Sequence, residues 1–271
     1  MKLNIFPLLL LLFVSTAINA QKNNKSGIIS YQVTYYAFDE PTYGNVSEQT
    51  LLFNETEASF FYIKFVKSFT SPDLKAPAMP ARITQYQNFS TKTILNAIRV
   101  PKGSYVVKDD MSPITWRMLN QSKKIQNIEC FGAMTEYRGR VWTAWYAPSI
   151  PVSSGPWLLY GLPGMILEAE DLKGLVKYEC LSVVIPPSGG LKIGKPTPQN
   201  QKSEAPISMK EFAINCEREI TNAEKMSVSV EKGGNSGSSR QYHVEDVEIF
   251  AFEKNITLKR RQQKLSDIPK K

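Results

Sequence analysis

Histidine is nearly missing from this sequence: His243 stands alone, and cysteine is scarce, with Cys130, Cys180 and Cys216 the only three. One imidazole cannot build a multi-histidine zinc site, and cysteines this far apart lack the close-spaced pairs of a zinc-binding loop. No metal is therefore expected. A serine or cysteine nucleophile would have to draw on His243 as its base. The serine-rich stretch around Ser236 superficially suggests a nucleophile loop, but it reads as linker. No glycine-rich phosphate loop leads from a strand into a helix, and no cofactor is expected. Glu168 and Glu170 share one strand face, which meets the first requirement of glycosidase-like chemistry. A charged, solvent-facing strand opposite Lys177 explains them more simply, so no catalytic residue is assigned. An odd number of cysteines permits at most one internal disulfide, and its pairing stays open.

Long hydrophobic runs are also lacking. The run from Leu3 to Val14, interrupted at Asn4, is shorter than the roughly 20 apolar residues of a membrane span. It follows Met1-Lys2 and precedes the small residues Ser15 to Ala20, the pattern of a cleavable secretory signal over residues 1–20. Cleavage is expected after Ala20, with Ala17 the alternative. No cysteine borders the cut, so no lipid anchor is expected there. The chain is thus expected in the periplasm or associated with the outer envelope, with no transmembrane span after processing. Export also argues against nucleic acid as a partner. The formal net charge of +8 is concentrated partly in a basic tail over 254–271, with Lys259, Arg260, Arg261, Lys270 and Lys271 among its cations. Such a tail offers peripheral contact with anionic lipid, or is simply a solvated terminus.

What is abundant is strand-like alternation. From Ile29 to Tyr35 every second residue is apolar, as in a half-buried strand. Gln49 to Phe53 and Ala58 to Phe65 flank Asn54-Glu55-Thr56-Glu57, a hairpin signal. A proline-rich stretch from Ser71 to Pro80 interrupts the pattern. Further strands are expected at Ile83–Phe89, Ser104–Lys108, Ile114–Leu119 and Ile125–Met134, the last two joined by a turn at Asn120–Lys124. Val141–Tyr146 follows the turn-like Arg138-Gly139-Arg140. Met165–Glu170 and Leu175–Val184 flank Asp171-Leu172-Lys173-Gly174 as the clearest hairpin. Within it Met165, Leu167 and Ala169 share one face and Ile166, Glu168 and Glu170 the other. Val176, Tyr178 and Cys180 face inward, which makes Cys180 structural rather than reactive.

Residues 186–206 read as a long exposed loop. One helix should follow, capped by Ser208 with Glu211 completing a capping box and Ile207 stapled onto Phe212. Its apolar face is Met209, Phe212, Ala213, Cys216 and Ile220. Residues 232–240 read as a flexible loop and Val244–Phe252 as a closing strand. Residues 21–253 therefore form a single β-rich α+β domain. Its expected architecture is a curved antiparallel sheet, a half-open barrel or a sandwich, with one packed helix in the C-terminal half.

The most distinctive segment runs from Arg138 to Asp171, with Gly161-Leu162-Pro163-Gly164-Met165-Ile166 at its centre. Trp145-Tyr146, Ile150-Pro151, Gly155-Pro156-Trp157 and Leu167-Glu168 surround it. This segment resembles the GLPGLI family of exported Bacteroidetes proteins, with Met165 in place of the motif's second leucine. The resemblance implies an envelope protein of unassigned biochemical function and carries over no catalytic residue. On physical grounds, proline followed by glycine in Leu162–Met165 is the signature of a type II turn feeding a strand at Met165. Trp142, Trp145, Tyr146, Trp157 and Tyr160 crowd the same region. They either stack as a layer of core or line a groove for an apolar or extended ligand. Arg138 and Arg140, flanking a glycine, either clamp a carboxylate or phosphate bidentately or form a solvated turn. The leading expectation is a non-enzymatic binding protein. An interaction module of an outer-membrane transport or envelope complex, working through a sheet edge or the basic tail, is the first alternative. A hydrolase relying on Glu168, Glu170 or His243 is the second.

Overall fold

The computed structural model describes residues 25–36, 44–68, 82–100, 103–187, 191–197 and 201–215. The expected signal peptide, the proline-rich stretch, the 232–240 loop, the closing strand Val244–Phe252, Cys216, Ile220 and the basic tail lie outside them.

The described residues form one 12-stranded sheet, which among them stays open rather than closing into a barrel. Its strands are β1 (Gly27–Tyr36), β2 (Gly44–Phe53), β3 (Glu57–Ser68), β4 (Arg82–Asn88), β5 (Thr93–Val100) and β6 (Gly103–Asp110). They continue with β7 (Arg117–Ile125), β8 (Ile128–Tyr137), β9 (Arg140–Ala147), β10 (Met165–Asp171), β11 (Val176–Val184) and β12 (Ile207–Ser208). A short helix, α1, occupies 209–215. The order across the sheet is β12-β6-β5-β4-β3-β2-β1-β11-β10-β9-β8-β7. Two meanders, β1 to β6 and β7 to β11, therefore join where β1 pairs antiparallel with β11. Only β12 runs parallel to its neighbour, β6.

The local chemistry of each turn explains why the strands reverse where they do. Asn54 Oδ1 accepts from the amides of Thr56 and Glu57 at 2.8 and 2.9 Å, closing the β2–β3 hairpin as an Asx turn. At the β10–β11 hairpin, Asp171 Oδ1 takes the amides of Leu175 and Val176 while Gly174 adopts φ +68°. Ser208 caps α1 by accepting from Glu211 N at 3.2 Å. Ile207 and Phe212 join Ile98, Tyr105 and Val107 in a small cluster that seats the helix on β5 and β6.

Several expectations need correction. The β7–β8 turn is at Gln126-Asn127, with φ +50° and +62°, and not at Asn120–Lys124. Those polar residues belong to the outermost strand, so their polarity signals exposure rather than a turn. Strand β7 accordingly starts at Arg117, and Ile114 lies in the loop before it. Strand β5 has no counterpart among the strands expected from alternation. Ile166 is not outward-facing as alternation predicts, since Met165, Ile166 and Leu167 are all fully buried. A bulge between Ile166 and Glu168 in the pairing with β9 breaks the alternation, and Gly155 packs directly against the Ile166 side chain. Glu170 does lie opposite Lys177.

A long connection, residues 148–164, folds back over the sheet between β9 and β10. It contributes Ile150, Val152, Leu158, Leu159 and Leu162 to the main core, beside Ile29, Tyr31, Phe53 and Phe60 from the sheet. Residues 191–197 pass close to β3 and β4: Ser59 Oγ donates to Gly194 O, and a side chain at Gly194 would meet Ile83 at 2.8 Å.

Candidate binding cleft

The motif itself forms a tighter corner than the type II turn expected. Gly164 N donates to Leu162 O at 2.8 Å, a three-residue turn centred on Pro163, whose fixed φ suits that geometry. Met165 N bonds instead to Ile150 O at 3.0 Å, so the chain leaving the corner is stitched to the start of the same connection. Ile166 N continues the stitching to Ser154 O at 2.9 Å, and Gly161 N donates to Ser153 Oγ at 2.9 Å.

The aromatic residues around this corner are mostly core. Trp142 is fully buried and stacks at a tilt on Trp157, ring centroids 5.7 Å apart, with Tyr178 at 6.2 Å on its other flank. Burying a ring of this size contributes roughly 4–6 kcal/mol. Trp157 is held at φ +51° by two glutamines of β4. Gln87 Nε2 donates to its carbonyl at 3.3 Å, and the Gln85 amide, oriented by its partners, meets both that carbonyl and the indole N–H. Tyr146 is buried against Phe131 at 6.2 Å. Trp145 is half-buried, paired opposite Glu168, with Lys123 Nζ 4.5 Å above its ring and in an ion pair with Glu168. Trp142, Tyr146 and Trp157 pack as a layer of core, while Tyr160, equally buried, also borders a cleft.

Both arginines are engaged by carboxylates of the chain itself. Arg138 is buried, donates from Nε to Tyr137 OH at 2.9 Å, and pairs with Asp109 at the end of β6. Arg140 Nη1 meets Asp171 at 2.6 Å, anchoring the β10–β11 turn to β9. Arg138-Gly139 does form a turn, with φ +51° and +74°, but the arginine side chains point into protein rather than water.

The cleft lies beside these rings. Tyr160 and Gly161 form one wall, and the loop between β6 and β7 forms another. Two hydrogen bonds lock the walls together: Tyr160 OH donates to Ser112 O at 2.7 Å, and Trp116 Nε1 donates to Tyr160 O at 2.8 Å. Burial pushes the Tyr160 phenol well above its ordinary range, so it stays protonated as a donor. Between the walls lies a half-open space of about 490 Å³. Phe89, Met111, Ile114 and Val152 give it apolar sides, while Lys25, Glu55 and Lys92 stand at its margin. Lys25 Nζ is 3.4 Å from Glu55 Oε1.

Of the lining residues, sequence reasoning names Tyr160 as a candidate ligand contact and Gly161 only as part of the motif, and the others come from turns far apart in the chain. Pro151, in the Ile150-Pro151 pair, is the one local hint. Among the described residues no three His, Cys, Asp or Glu side chains gather as a metal-binding set, and no helix is long and apolar enough to cross a membrane. Cys130 and Cys180 are buried free thiols, pushed up by burial to about 11 and about 12.

Residues 135–168 match a known family. Its description is "Protein of unknown function (Porph_ging)", and the match runs from the end of β8 through β9 and the motif connection into β10. Comparison with curated proteins gives no match. Among solved structures, one described as "Structure of PNGF-II in P21 space group" is similar at 16% identity and a TM-score of 0.44. It covers 63% of this chain and 31% of its own. A second, "Structure of PNGF-II in C2 space group", has 15% identity and a TM-score of 0.44, covering 66% and 31%. This chain thus spans about a third of the length of those structures.

Proposed function

We propose that this chain is an exported, non-enzymatic binding protein of the cell envelope, a GLPGLI-type protein that holds an apolar or extended ligand in the cleft beside Gly161. The observation that carries the reading is the cleft itself: about 490 Å³ of half-open space with apolar sides, within the range of small-molecule sites. The motif supports it by contributing to one wall, and Tyr137, edge-on to both Trp157 and Tyr160, links that wall to the buried Trp142–Trp157 stack. A binding rather than a catalytic role is favoured by the lining. Its titratable groups are two lysines, one glutamate already beside a lysine, and a phenol held protonated. Export is supported by the signal-like residues 1–20.

Native mass spectrometry of the protein purified from the envelope fraction tests this. The expected result is a chain beginning at Gln21 that carries a small molecule released by organic solvent. A chain that is bare, and that binds no apolar fluorescent probe saturably, overturns the reading.

The outer strand β7 favours a second reading, an interaction module, because Met118 and Phe131 beside that edge are 52% and 40% exposed. Ser122→Pro would block strand addition there. An unchanged set of cross-linked envelope partners in that variant removes the edge from consideration.

A further inference from the structure

The charge pattern of the cleft deepens the binding reading, and the ligand class it selects depends on that reading. Three charged residues line the cleft: Lys25, Glu55 and Lys92. Lys25 and Glu55 lie 3.4 Å apart and largely neutralise each other. Among the described residues Lys92 makes no ion pair, and it adds a positive charge to the lining. Its position is fixed by the backbone: Lys92 sits at φ +54° in the β4–β5 turn, and its carbonyl accepts from Met111 N at 2.8 Å. That bond ties the base of the lysine to the residue lining the apolar side of the cleft.

We propose that the cleft takes a long-chain carboxylate, with the acyl chain against Phe89, Met111, Ile114 and Val152 and the carboxylate at Lys92. A cationic amphiphile would meet a like charge at the opening. A neutral lipid would use the apolar sides and gain nothing from Lys92. A dianionic headgroup would bring two negative charges to the single ammonium of Lys92. A single carboxylate on an apolar chain matches both the walls and the charge, and an ammonium–carboxylate contact is stronger than a neutral hydrogen bond.

The test is isothermal titration calorimetry of the processed chain with laurate, lauryl alcohol and lauryltrimethylammonium, each below its micelle concentration. Native protein, Lys92→Gln and Met111→Asp are compared, with thermal unfolding to show that each is folded. Native protein should bind laurate at one saturable site, about tenfold more tightly than the alcohol. Lys92→Gln should bring laurate down to the alcohol's level and leave the alcohol unchanged. Met111→Asp should weaken both. Equal binding of laurate and alcohol by native protein, preference for the ammonium, or laurate binding indifferent to Lys92→Gln overturns the carboxylate assignment while leaving the binding-protein reading in place. Folded native protein that binds none of the three overturns both. Lys92 is exposed, so its substitution tests the proposal even if Met111→Asp fails to fold.

Discussion

Gly164 holds φ +156°, and a methyl group there would sit 2.3 Å from the Ala147 carbonyl oxygen. Gly161, at φ +94°, has more room, its nearest neighbour being Trp116 Nε1 at 3.3 Å. Gly164→Ala should therefore cost about 3 kcal/mol or more and Gly161→Ala about 1–2 kcal/mol, read as shifts in urea midpoint. The reverse order would show that the corner relaxes where the packing looks tightest. The thiols offer a second check. Unfolded cysteines release their protons near pH 9, while burial holds Cys130 to about 11 and Cys180 to about 12. The folded chain keeps protons that the unfolded chain has lost, so stability is full below pH 9 and declines as pH rises toward 11–12. In a Cys216→Ser background, native protein should resist thiol reagents at pH 8 and react only when unfolded; rapid native labelling contradicts this. Cys180 is legible as inward because alternation holds along β11. Arg138 is not, because its partner Asp109 is brought near only by the fold.

Among the elements, the first and last hairpins of the second meander behave differently. Gln126-Asn127 makes a two-residue turn with both residues at positive φ, where Asn-Gly is the favoured pair. Asn127→Gly should raise stability by about 0.5–1 kcal/mol in chemical denaturation. A loss would mean that the asparagine side chain supports the turn. The β10–β11 turn relies on charge instead, since Asp171 binds Arg140 and two backbone amides while almost wholly buried. Asp171→Ala leaves a guanidinium and two amides without that acceptor and should cost about 3–5 kcal/mol. Asp171→Asn keeps an oxygen for the amides and should cost less; equal losses would assign the whole effect to the ion pair. Asp171 and Gly174 make this hairpin readable from composition, whereas the β7–β8 turn escapes because the polar edge residues Asn120 to Lys124 look like a loop.

Across the molecule, the two meanders meet at β1 and β11, and β2, β1 and β11 lie at the middle of the sheet order. Amide exchange should be slowest in β1, β2 and β11 and fastest in β7, whose outer edge pairs with no strand among the described residues. Uniform protection across the sheet would contradict that gradient. The amino-acid sequence by itself determined the mainly β class, most of the strands, the capped helix and the motif corner. These follow from neighbours in the chain: alternation, proline's fixed φ, and side chains that bond to adjacent amides. Only the tertiary structure decided which aromatic rings became core, which arginines found carboxylates, and where a cleft remained. Each of those depends on residues brought together from distant turns, and local pattern carries no record of such meetings.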